Sequence, residues 1–545
     1  MHGLIMDYQL TIPAILRRAE QLFGDREIVS RRPDRSIHRY TYGECIRRAR
    51  ELGAALQSLG VGNGDRVATL CWNHYRHLEA YYGIPSSGAV VHTLNLRLHP
   101  DDLAYIATHA DDTALIVDKV LLPLLEKFRK NAPFKHIIVA ADDGAVPDGM
   151  LDYETLLSSV GDSGVEMPEL DERAAAVMCY TSGTTGRPKG VLYSHRAIAL
   201  HTLGSALGTT LDIRQADTVL AVVPMFHANA WGLPFTCAMV GAKQVCPGPH
   251  LDPKSLLELF ESERVTISAG VPTIWLGLLQ TLDADPKAYD LSAMRKLIVG
   301  GAAVPESMIR GFQERHGLSI VQAWGMTETA PLGTVANLMH GMSNESKDAQ
   351  YAFRARQGAP APFVEIRARG DSGLIDWDGT SMGELEVRGP WVASAYYDAP
   401  DSSDRFTDDG WFKTGDIVSI DRHGSVEIRD RAKDLIKSGG EWISSVALEN
   451  ALMGHPAVAE AAVVAAPHPK WQECPVAVVV LKPGRSASPE DLTTHLAAAF
   501  PRWWLPHSIE FVTEIPRTSA GKVQKSALRE KFSKWTTSTS PTGGQ

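Results

Sequence analysis

The 545-residue sequence contains few cysteines, and none of them are spaced as a metal-binding pair. No Cys-x-x-Cys pair occurs, which excludes a zinc knuckle and gives no sign of a disulfide framework. The default expectation is buried free thiols in a reducing compartment. The cysteines are Cys45, Cys71, Cys179, Cys237, Cys246 and Cys474.

The sequence also lacks an excess of positive charge and a long apolar run. Lys and Arg number 54 against 64 Asp and Glu, a formal net charge of -10. This balance disfavours a generally basic nucleic-acid-binding surface, although it leaves room for a local basic patch. No charged-then-apolar signal pattern opens the chain, and no apolar run approaches the length of a membrane span. The sequence therefore predicts a cytoplasmic protein.

The size and patterning of the chain predict an α/β protein with more than one domain. Hydrophobic residues make up 44% of 545 residues, enough to bury more than one core. Residues 12–23 have helical periodicity, and helices then alternate with short apolar strands as far as about Gln322. This alternation predicts α/β layers with largely parallel sheets. From 357 to about 429, short strands and frequent turns predict a small β-barrel or meander.

A domain boundary is predicted at the charge-rich segment 429–434. A solvated charged turn is the alternative explanation of such a run. We expect an N-terminal domain over residues 1–432, a hinge at 433–434 and a mobile α+β domain over 435–535. The tail 536–545 is rich in Thr, Ser, Gly and Pro, which predicts disorder.

The densest chemical signal is the sequence Tyr-Thr-Ser-Gly-Thr-Thr-Gly-Arg-Pro-Lys-Gly over residues 180–190. Glycines let backbone N–H groups approach an oxyanion, hydroxyls add donors, and Lys189 adds a mobile positive charge. The spacing differs from the Walker pattern, which disfavours a kinase-like or GTPase-like site. A flexible linker is the alternative, but predicted strands flank the segment. The expected phosphate-binding residues are Thr181, Ser182, Gly183, Thr184, Thr185 and Gly186.

This loop resembles the signature of the adenylate-forming (ANL) superfamily, which includes acyl-CoA synthetases, non-ribosomal adenylation domains and luciferases. The resemblance implies a large N-terminal domain of two α/β sheet subdomains plus a small β-barrel. A small α+β C-terminal domain is implied to follow. The N-terminal domain would then bind ATP and the acyl group.

The segment Gln-Ala-Trp-Gly-Met-Thr-Glu-Thr, which follows a strand predicted over 318–321, resembles the adenine and magnesium segment of that superfamily. An indole can stack on a purine, Thr327 can donate to the α-phosphate, and Glu328 is a hard oxygen ligand for Mg²⁺. In isolation such a segment is more often an ordinary strand-to-loop transition. The resemblance implies a metal held by Glu328 and Thr184, and ATP contacts from Gly301, Ala302, Ala303, Gln322, Ala323, Trp324 and Gly325.

Three further segments match the superfamily in order along the chain. Asp416 and Arg431 stand at the spacing of its ribose-binding pair, although Asp416 alone would be taken as a turn residue. Lys522, within Pro-Arg-Thr-Ser-Ala-Gly-Lys, resembles its mobile catalytic lysine. The hinge residue Lys433 and the following glycine-rich loop are implied to line the coenzyme A channel; that loop contains Ser438, Gly439, Gly440, Glu441 and Trp442. Helix capping by Ser444 or Ser445 is the structural alternative there.

The acyl site is expected between two apolar segments near residues 224–232 and 270–275. Amino-acid-activating relatives usually place an Asp near the start of this pocket, and the segment 224–231 has none. Its aromatic and aliphatic content suits an apolar tail. Trp231 is either a gate of the acyl tunnel or a packed core residue, and His227 is either a mobile or a structural histidine. The expected pocket residues are His227, Trp231, Gly232, Val271, Gly301 and Gly325.

The resemblance implies a two-step reaction. A carboxylate attacks the α-phosphate of MgATP to give acyl-adenylate and pyrophosphate, and the thiol of coenzyme A then displaces AMP. Charge neutralisation by Mg²⁺, Lys189, Thr327 and Lys522 would drive the first step. Rotation about Lys433 would then exchange Lys522 for the Gly439 loop.

The identity of the acid and the biological context stay open at this stage. The sequence most resembles bacterial medium- and long-chain fatty-acyl-CoA synthetases, and close cousins act on methylthiopropionate or on aryl-propenoates such as cinnamate. A ligase that loads a carrier protein and a non-catalytic nucleotide-binding protein are the rival classes. Relatives of this branch often form homodimers through the N-terminal domain.

Overall fold

The structure is a computed structural model that describes residues 3–161, 168–181, 187–438, 441–517 and 523–533. Its first part alternates helices and strands as predicted. In chain order these elements are α1 Ile12–Phe23, β1 Glu27–Arg31, β2 Ile37–Thr41, α2 Tyr42–Ser58, β3 Arg66–Leu70, α3 Tyr75–Ser86, β4 Val90–Thr93, α4 Pro100–His109, β5 Asp112–Asp118, α5 Leu122–Leu125, β6 His136–Ala140, β7 Leu151–Asp152, α6 Tyr153–Val160, β8 Ala175–Tyr180, β9 Gly190–Ser194 and α7 His195–Ala206.

The middle and last parts continue the same numbering. They comprise β10 Thr218–Ala221, α8 Leu233–Val240, β11 Lys243–Cys246, α9 Pro253–Ser262, β12 Ile267–Gly270, α10 Pro272–Ala284, β13 Lys296–Val299, α11 Glu306–Arg310, β14 Ile320–Gly325, β15 Leu332–Val335, α12 Lys347–Arg354, β16 Ala359–Pro360, β17 Glu365–Gly370, β18 Gly373–Leu374, β19 Gly383–Arg388, β20 Phe412–Ile420, β21 Val426–Arg431, β22 Ile436–Ser438, β23 Glu441–Ile443, α13 Ser445–Met453, β24 Val458–His468, β25 Gln472–Leu481, α14 Pro489–Ala497, β26 Ser508–Phe511 and α15 Lys525–Phe532.

Local sequence accounts for the first helices. In α1 the residues Ile12, Ile15, Leu16 and Ala19 recur at helical spacing and are buried on one face. Helix α2 starts with a reciprocal capping box, in which Thr41 and Glu44 each bond the other's backbone N–H. These caps satisfy donors that a helix start otherwise leaves unpaired.

Two mainly parallel sheets form the large N-terminal part. The seven-stranded sheet has the order β7-β6-β5-β3-β4-β8-β9, and only β9 runs antiparallel to its neighbour. The nine-stranded sheet has the order β16-β15-β14-β13-β12-β10-β11-β1-β2. Its central strands are parallel, and a large apolar cluster with residues from both sheets, such as Val177 and Ile298, lies between them.

Two smaller sheets complete the fold. Strands β17 to β21 form an antiparallel sheet in the order β18-β17-β19-β20-β21, in the segment where a small β-barrel or meander was expected. Strands β22 to β26 form a mixed sheet packed against α13, α14 and α15. The predicted α/β architecture with an α+β C-terminal part is confirmed.

The hydrophobic clusters separate near the predicted hinge. The four earlier clusters draw their buried residues from positions up to 426, and the two later clusters draw theirs from 436 onwards. This division supports a boundary at 433–434, which stays a proposal.

Two details differ from the sequence expectations. The strand predicted over 318–321 is β14, Ile320–Gly325, so Gln322 to Gly325 are part of a strand. Asp416 lies within the nine-residue strand β20 and is buried, where a turn was the simplest prediction. In both cases pairing with a neighbouring strand extends the element beyond its local pattern.

The six cysteines are all buried free thiols, as predicted. Every helix within the described residues falls short of the length and apolar character that crossing a bilayer requires.

Candidate active site

Two adjoining cavities open where the large sheets, the antiparallel sheet and the C-terminal part meet. The first has a volume of about 320 Å³ and the second about 300 Å³. Residues that line both of them include Val271, Gly301, Trp324, Arg431 and Val523. Together the cavities have the volume of a site for a small-molecule ligand.

The phosphate loop begins and ends on a β-hairpin. Strands β8 and β9 pair antiparallel, with Tyr180 opposite Gly190. The backbone N–H of Thr181 donates to the Lys189 carbonyl at 2.9 Å, and the Lys189 N–H donates to Thr181 Oγ1 at 3.1 Å. The loop is thereby closed at its base, and both of these residues line the first cavity.

Glu328 is held by a tyrosine that sequence reasoning missed. The Tyr396 hydroxyl donates to Glu328 Oε1 at 2.5 Å, and the Lys189 ammonium lies 5.0 Å from the centre of the Tyr396 ring. Burial, with the Glu328 charge adding to it, raises the pKa of Tyr396, so its hydroxyl remains a donor. The Glu328 carboxylate and the Lys189 ammonium therefore both contact the side chain of Tyr396, the first at its hydroxyl and the second at its ring.

Thr327 and Glu328 lie on a short turn after β14. The Tyr193 hydroxyl donates to the Thr327 carbonyl at 2.6 Å, which anchors that turn to β9 next to the phosphate loop. A β-carbon at Gly325, just before the turn, would lie only 1.7 Å from the Pro331 carbonyl oxygen. Only glycine fits there, because the chain must fold back on itself directly beneath the cavity.

The predicted ribose pair, Asp416 and Arg431, is assembled by strand pairing. The two residues are opposite each other in β20 and β21, and Arg431 Nε is 2.7 Å from Asp416 Oδ1. Trp324 Nε1 donates to Asp416 Oδ2 at 3.0 Å. The buried Asp416 carboxylate therefore brings together the adenine and ribose segments that the sequence places about a hundred residues apart.

The remaining predicted adenine contacts lie at the second cavity. Gly301 lines both cavities, and its φ of 85° is in the left-handed region that favours glycine. Gly325 and Ala323 are also shared by the two cavities. The second cavity is further lined by Ala302, Ala303, Gln322 and Asp416.

Two of the predicted acyl residues, Trp231 and Gly232, lie on an unusual stretch of backbone. Ala228 to Trp231 have φ between 43° and 56°, followed by Gly232 at 72°. For non-glycine residues this left-handed conformation is strained, and strain of this kind clusters at functional sites. Trp231 lines the first cavity and packs against Gly300, where an added β-carbon would lie 3.1 Å from the indole. Gly232 is not among the described lining residues; it is buried against His201.

The rest of the acyl wall is apolar. His227 and Val271 line the first cavity, as predicted residues of the pocket. Other apolar lining residues are Ala228, which lies within the expected segment 224–232, and Leu211, Ile298, Met326 and Leu332, which the sequence did not indicate as acyl-pocket residues.

The hinge segment is part of the site. Lys433 and Asp434 line the first cavity, and Asp434 is ion-paired with Arg529 of α15. Burial lowers the pKa of Lys433. Val523, next in sequence to Lys522, lines both cavities. The C-terminal part therefore closes over the two cavities in this structure.

Part of the predicted coenzyme A loop is described and lies away from the cavities. Ser438 is opposite Glu441 in the β22–β23 pair, and the Lys437 ammonium lies 5.3 Å from the exposed Trp442 ring. Ser444 caps α13 by accepting from the Ala447 N–H, the role proposed as the structural alternative. Eight predicted residues are outside the described residues: Ser182, Gly183, Thr184, Thr185, Gly186, Gly439, Gly440 and Lys522.

Comparison with known proteins decides the family. Residues 16–397 match the family model described as AMP-binding enzyme, and residues 447–522 match that of the AMP-binding enzyme C-terminal domain. The chain belongs to the AMP-binding enzyme family. A long-chain-fatty-acid–CoA ligase of Thermus thermophilus is 50% identical to this AMP-binding enzyme over 531 residues, 97% of this chain and 96% of the relative.

Two further comparisons agree with this assignment. A 3-methylmercaptopropionyl-CoA ligase of Ruegeria pomeroyi is 42% identical over 538 residues, 98% of this chain and 99% of the relative. The crystal structure of the anthranilate CoA ligase AuaEII in complex with anthranoyl-AMP superposes with a TM-score of 0.86 at 26% identity, covering 97% of this chain and 98% of the other. This AMP-binding enzyme is an acid–thiol ligase that forms AMP.

Proposed function

We propose that this AMP-binding enzyme is an ATP- and Mg²⁺-dependent acyl-CoA synthetase for a medium- or long-chain fatty acid. It would activate the acid as an acyl-adenylate with release of pyrophosphate, and then transfer the acyl group to coenzyme A with release of AMP. The observation that carries this proposal is the pair of adjoining cavities, one with an adenosine-type lining and one with both cationic and apolar walls.

The second cavity fits an adenosine. Small residues at 301–303 leave a flat space beside the backbone, and Asp416 offers a buried carboxylate to the ribose hydroxyls. Arg431 Nε holds that carboxylate in place at 2.7 Å. A carboxylate held in one orientation can accept hydrogen bonds from both hydroxyls of a ribose, and these charge-assisted bonds are strong.

The α-phosphate would lie where the two cavities join, between the phosphate loop and the turn at Thr327. Lys189 supplies positive charge there, and Thr327 supplies a hydroxyl. Glu328 fits a magnesium ligand, because it is a carboxylate at the same wall, oriented by the Tyr396 hydroxyl at 2.5 Å. When bound, the cation would neutralise phosphate charge, and Glu328 would hold it. Thr184 stays a predicted second ligand.

The acyl group would occupy the apolar end of the first cavity. Trp231, Val271 and Ile298 offer an aromatic and aliphatic surface. Among the described lining residues the carboxylates are Glu328 and Asp434, which belong to the turn after β14 and to the hinge segment. This lining favours a fatty acid over an amino acid. The gating role of Trp231 stays a prediction, and its strained backbone supports a segment with a second conformation.

Coenzyme A would enter after the C-terminal part has moved. The exposed Trp442 with its Lys437 partner offers a cationic, aromatic surface to the nucleotide end of coenzyme A. The homodimer and the cytoplasmic location expected from the sequence stay predictions. Methylthiopropionate is the alternative substrate, favoured by the Ruegeria relative.

The decisive experiment measures AMP and pyrophosphate release with ATP, Mg²⁺ and coenzyme A across a panel of acids. The panel contains acetate, methylthiopropionate, fatty acids from hexanoate to palmitate, cinnamate and several amino acids. Turnover that depends on coenzyme A and peaks with a fatty acid supports the proposal. Adenylate without thioester would favour a carrier-protein ligase, and no turnover with any acid would favour a nucleotide-binding protein.

A further inference from the structure

The first cavity contains more positive charge than its carboxylates neutralise. Two of its lining cations have established partners nearby: Arg431 pairs with Asp416, and Lys433 lies beside Asp434. Among the described residues, Arg187, Lys189 and Arg405 have no carboxylate within ion-pair distance. Arg187 and Lys189 belong to the phosphate loop, whereas Arg405 comes from a different segment that no motif singled out.

Arg405 is held by contacts that leave most of its guanidinium available. Its Nη2 donates to the Lys413 carbonyl at 2.7 Å, and the guanidinium carbon lies 5.4 Å from the centre of the Phe412 ring. Its Nε is buried without a hydrogen-bond partner among the described residues. An arginine has five N–H donors, and among the described residues Arg405 uses one of them, in the bond to the Lys413 carbonyl, so donors remain for an acceptor in the cavity that it lines.

The position of Arg405 relative to the other groups identifies that acceptor. The ring centres of Tyr396 and Phe412 are 6.4 Å apart. The Lys189 ammonium contacts the first ring and the Arg405 guanidinium contacts the second, so the two cations lie on neighbouring aromatic side chains. Arg405 lines the first cavity and is not among the described residues of the second, where an adenosine fits. A group that extends from the adenosine past Lys189 and Glu328 is the β,γ-diphosphate of ATP.

We propose that Arg405 binds the β- and γ-phosphates of ATP and the pyrophosphate that leaves. This inference rests on the proposed adenylate-forming function and adds a residue to it. As the carboxylate oxygen bonds to the α-phosphorus, the α–β phosphoanhydride bond breaks and its electron pair goes to the pyrophosphate. The planar guanidinium suits two phosphate oxygens at once and stabilises the charge that develops there.

The test compares Arg405→Gln and Arg405→Lys with the wild-type chain in ATP–pyrophosphate exchange. The half-saturating concentration of pyrophosphate should rise by about tenfold or more in Arg405→Gln, as expected for loss of a charge-assisted hydrogen bond. Arg405→Lys keeps the positive charge but loses the planar pair of N–H donors. Its half-saturating pyrophosphate concentration should lie between those of the wild type and Arg405→Gln. Thioester formation from supplied acyl-adenylate should stay within about twofold of wild type, because pyrophosphate has no part in it.

Equilibrium binding separates this role from a structural one. Arg405→Gln should weaken ATP and pyrophosphate binding while AMP binding stays unchanged, and Arg422→Gln, an exposed arginine in the β20–β21 turn, should change none of the three. Equal weakening of ATP and AMP binding, or unchanged pyrophosphate binding, would overturn the proposal. A wild-type chain that forms no adenylate with any acid would overturn the proposed function instead, and the comparison of ATP with AMP would still decide the role of Arg405.

Discussion

At the scale of single residues, Tyr396 connects two charges that the sequence places far apart. Its hydroxyl bonds Glu328, and its ring lies beneath the Lys189 ammonium. Sequence reasoning missed it because it lies in the loop between β19 and β20, in a segment without a motif. A tyrosine in a loop gives no local signal, and only the packing of that loop against the turn after β14 reveals its partner.

Tyr396→Phe tests this positioning role. The substitution keeps the ring for Lys189 and removes the hydrogen bond to Glu328. We expect the half-saturating Mg²⁺ concentration for adenylate formation to rise by about tenfold, since partners that orient a metal ligand typically matter by this order. The measurement is ATP–pyrophosphate exchange titrated with Mg²⁺.

A matched tyrosine provides the control for that titration. Tyr351→Phe, buried on α12 in another part of the core, should leave the Mg²⁺ dependence unchanged. If both variants shift the dependence alike, or neither does, Tyr396 has no particular role at the metal ligand.

Lys522→Ala tests the predicted mobile lysine. Adenylate formation should fall by about a hundredfold or more, as when a preorganised transition-state donor is removed. Thioester formation from supplied acyl-adenylate should remain largely intact, because the lysine is expected to leave the site between the two steps. The two half-reactions are measured separately, and an equal loss in both would contradict the assignment.

At the scale of elements, the hairpin from β14 to β15 presents Thr327 and Glu328. Its fold-back depends on Gly325, where the Pro331 carbonyl leaves no room for a β-carbon. The sequence predicted a strand followed by a functional loop here, and its boundary was four residues short. The extension arises because β15 pairs with β14 from the other side, a contact that local pattern does not encode.

Gly325→Ala should therefore damage both stability and nucleotide binding. The backbone must shift to admit the methyl group, which costs at least about 2 kcal/mol of the free energy of unfolding. ATP affinity should fall in the fraction that remains folded. Gly208→Ala, where a β-carbon finds its nearest neighbour at 3.9 Å, serves as the control and should change neither thermal unfolding nor ATP binding.

At the scale of the whole molecule, buried polar contacts connect the parts before and after the predicted hinge. Asp430 of β21 accepts from the Ser445 N–H and hydroxyl, each at 2.6 Å, and Lys525 Nζ is 2.5 Å from the same hydroxyl. Lys525 also pairs with Glu449 at 2.7 Å. These contacts stabilise the closed arrangement, and a rotation about Lys433 would have to break those made by Asp430.

Asp430→Asn should thus favour departure from the closed arrangement. The amide keeps a hydrogen-bond acceptor but loses its charge toward Lys525, which retains Glu449. We expect adenylate formation to slow several-fold while thioester formation from supplied adenylate is kept. Asp421 pairs with Arg356, and both residues lie before the hinge, so Asp421→Asn should not change the ratio of the adenylate-forming rate to the thioester-forming rate. If Asp430→Asn and Asp421→Asn give the same ratio, the Asp430 contacts are not linked to the rotation.

Stability of the whole chain should fall in mild acid because of buried neutral histidines. Burial lowers the pKa of His201 to about 4, and its Nε2 accepts from the Leu332 N–H at 3.3 Å. Since the pKa is lower in the folded state than its ordinary value of 6.5, the stabilisation is complete above that value and is lost as pH falls toward 4. At pH 5 the loss for this histidine is about 2 kcal/mol.

His201→Gln, which keeps an acceptor without titrating, should reduce the drop in melting temperature between about pH 7 and about pH 5. The exposed His423→Gln should leave that drop as it is in the wild type. An unchanged drop in His201→Gln would show that this histidine does not couple folding to protonation.

The sequence by itself determined the α/β class, the order of the motifs and the kind of chemistry. Periodicity and turn residues act over short range, so elements such as helix α1 and strand β8 follow from local pattern. A loop rich in glycine, hydroxyls and lysine likewise has few uses other than holding an anion.

Only the tertiary structure decided which side chains meet. Asp416 and Arg431 meet through the pairing of β20 with β21, and Trp324 donates to the same carboxylate from a strand of another sheet. Tyr396 and Arg405 line the phosphate end of the site and come from a segment without a motif. Strand β1 pairs with β11 more than two hundred residues later, which adds β1 and β2 to the edge of the nine-stranded sheet. Such contacts depend on how whole elements pack to bury apolar surface, and no local stretch of sequence specifies that choice.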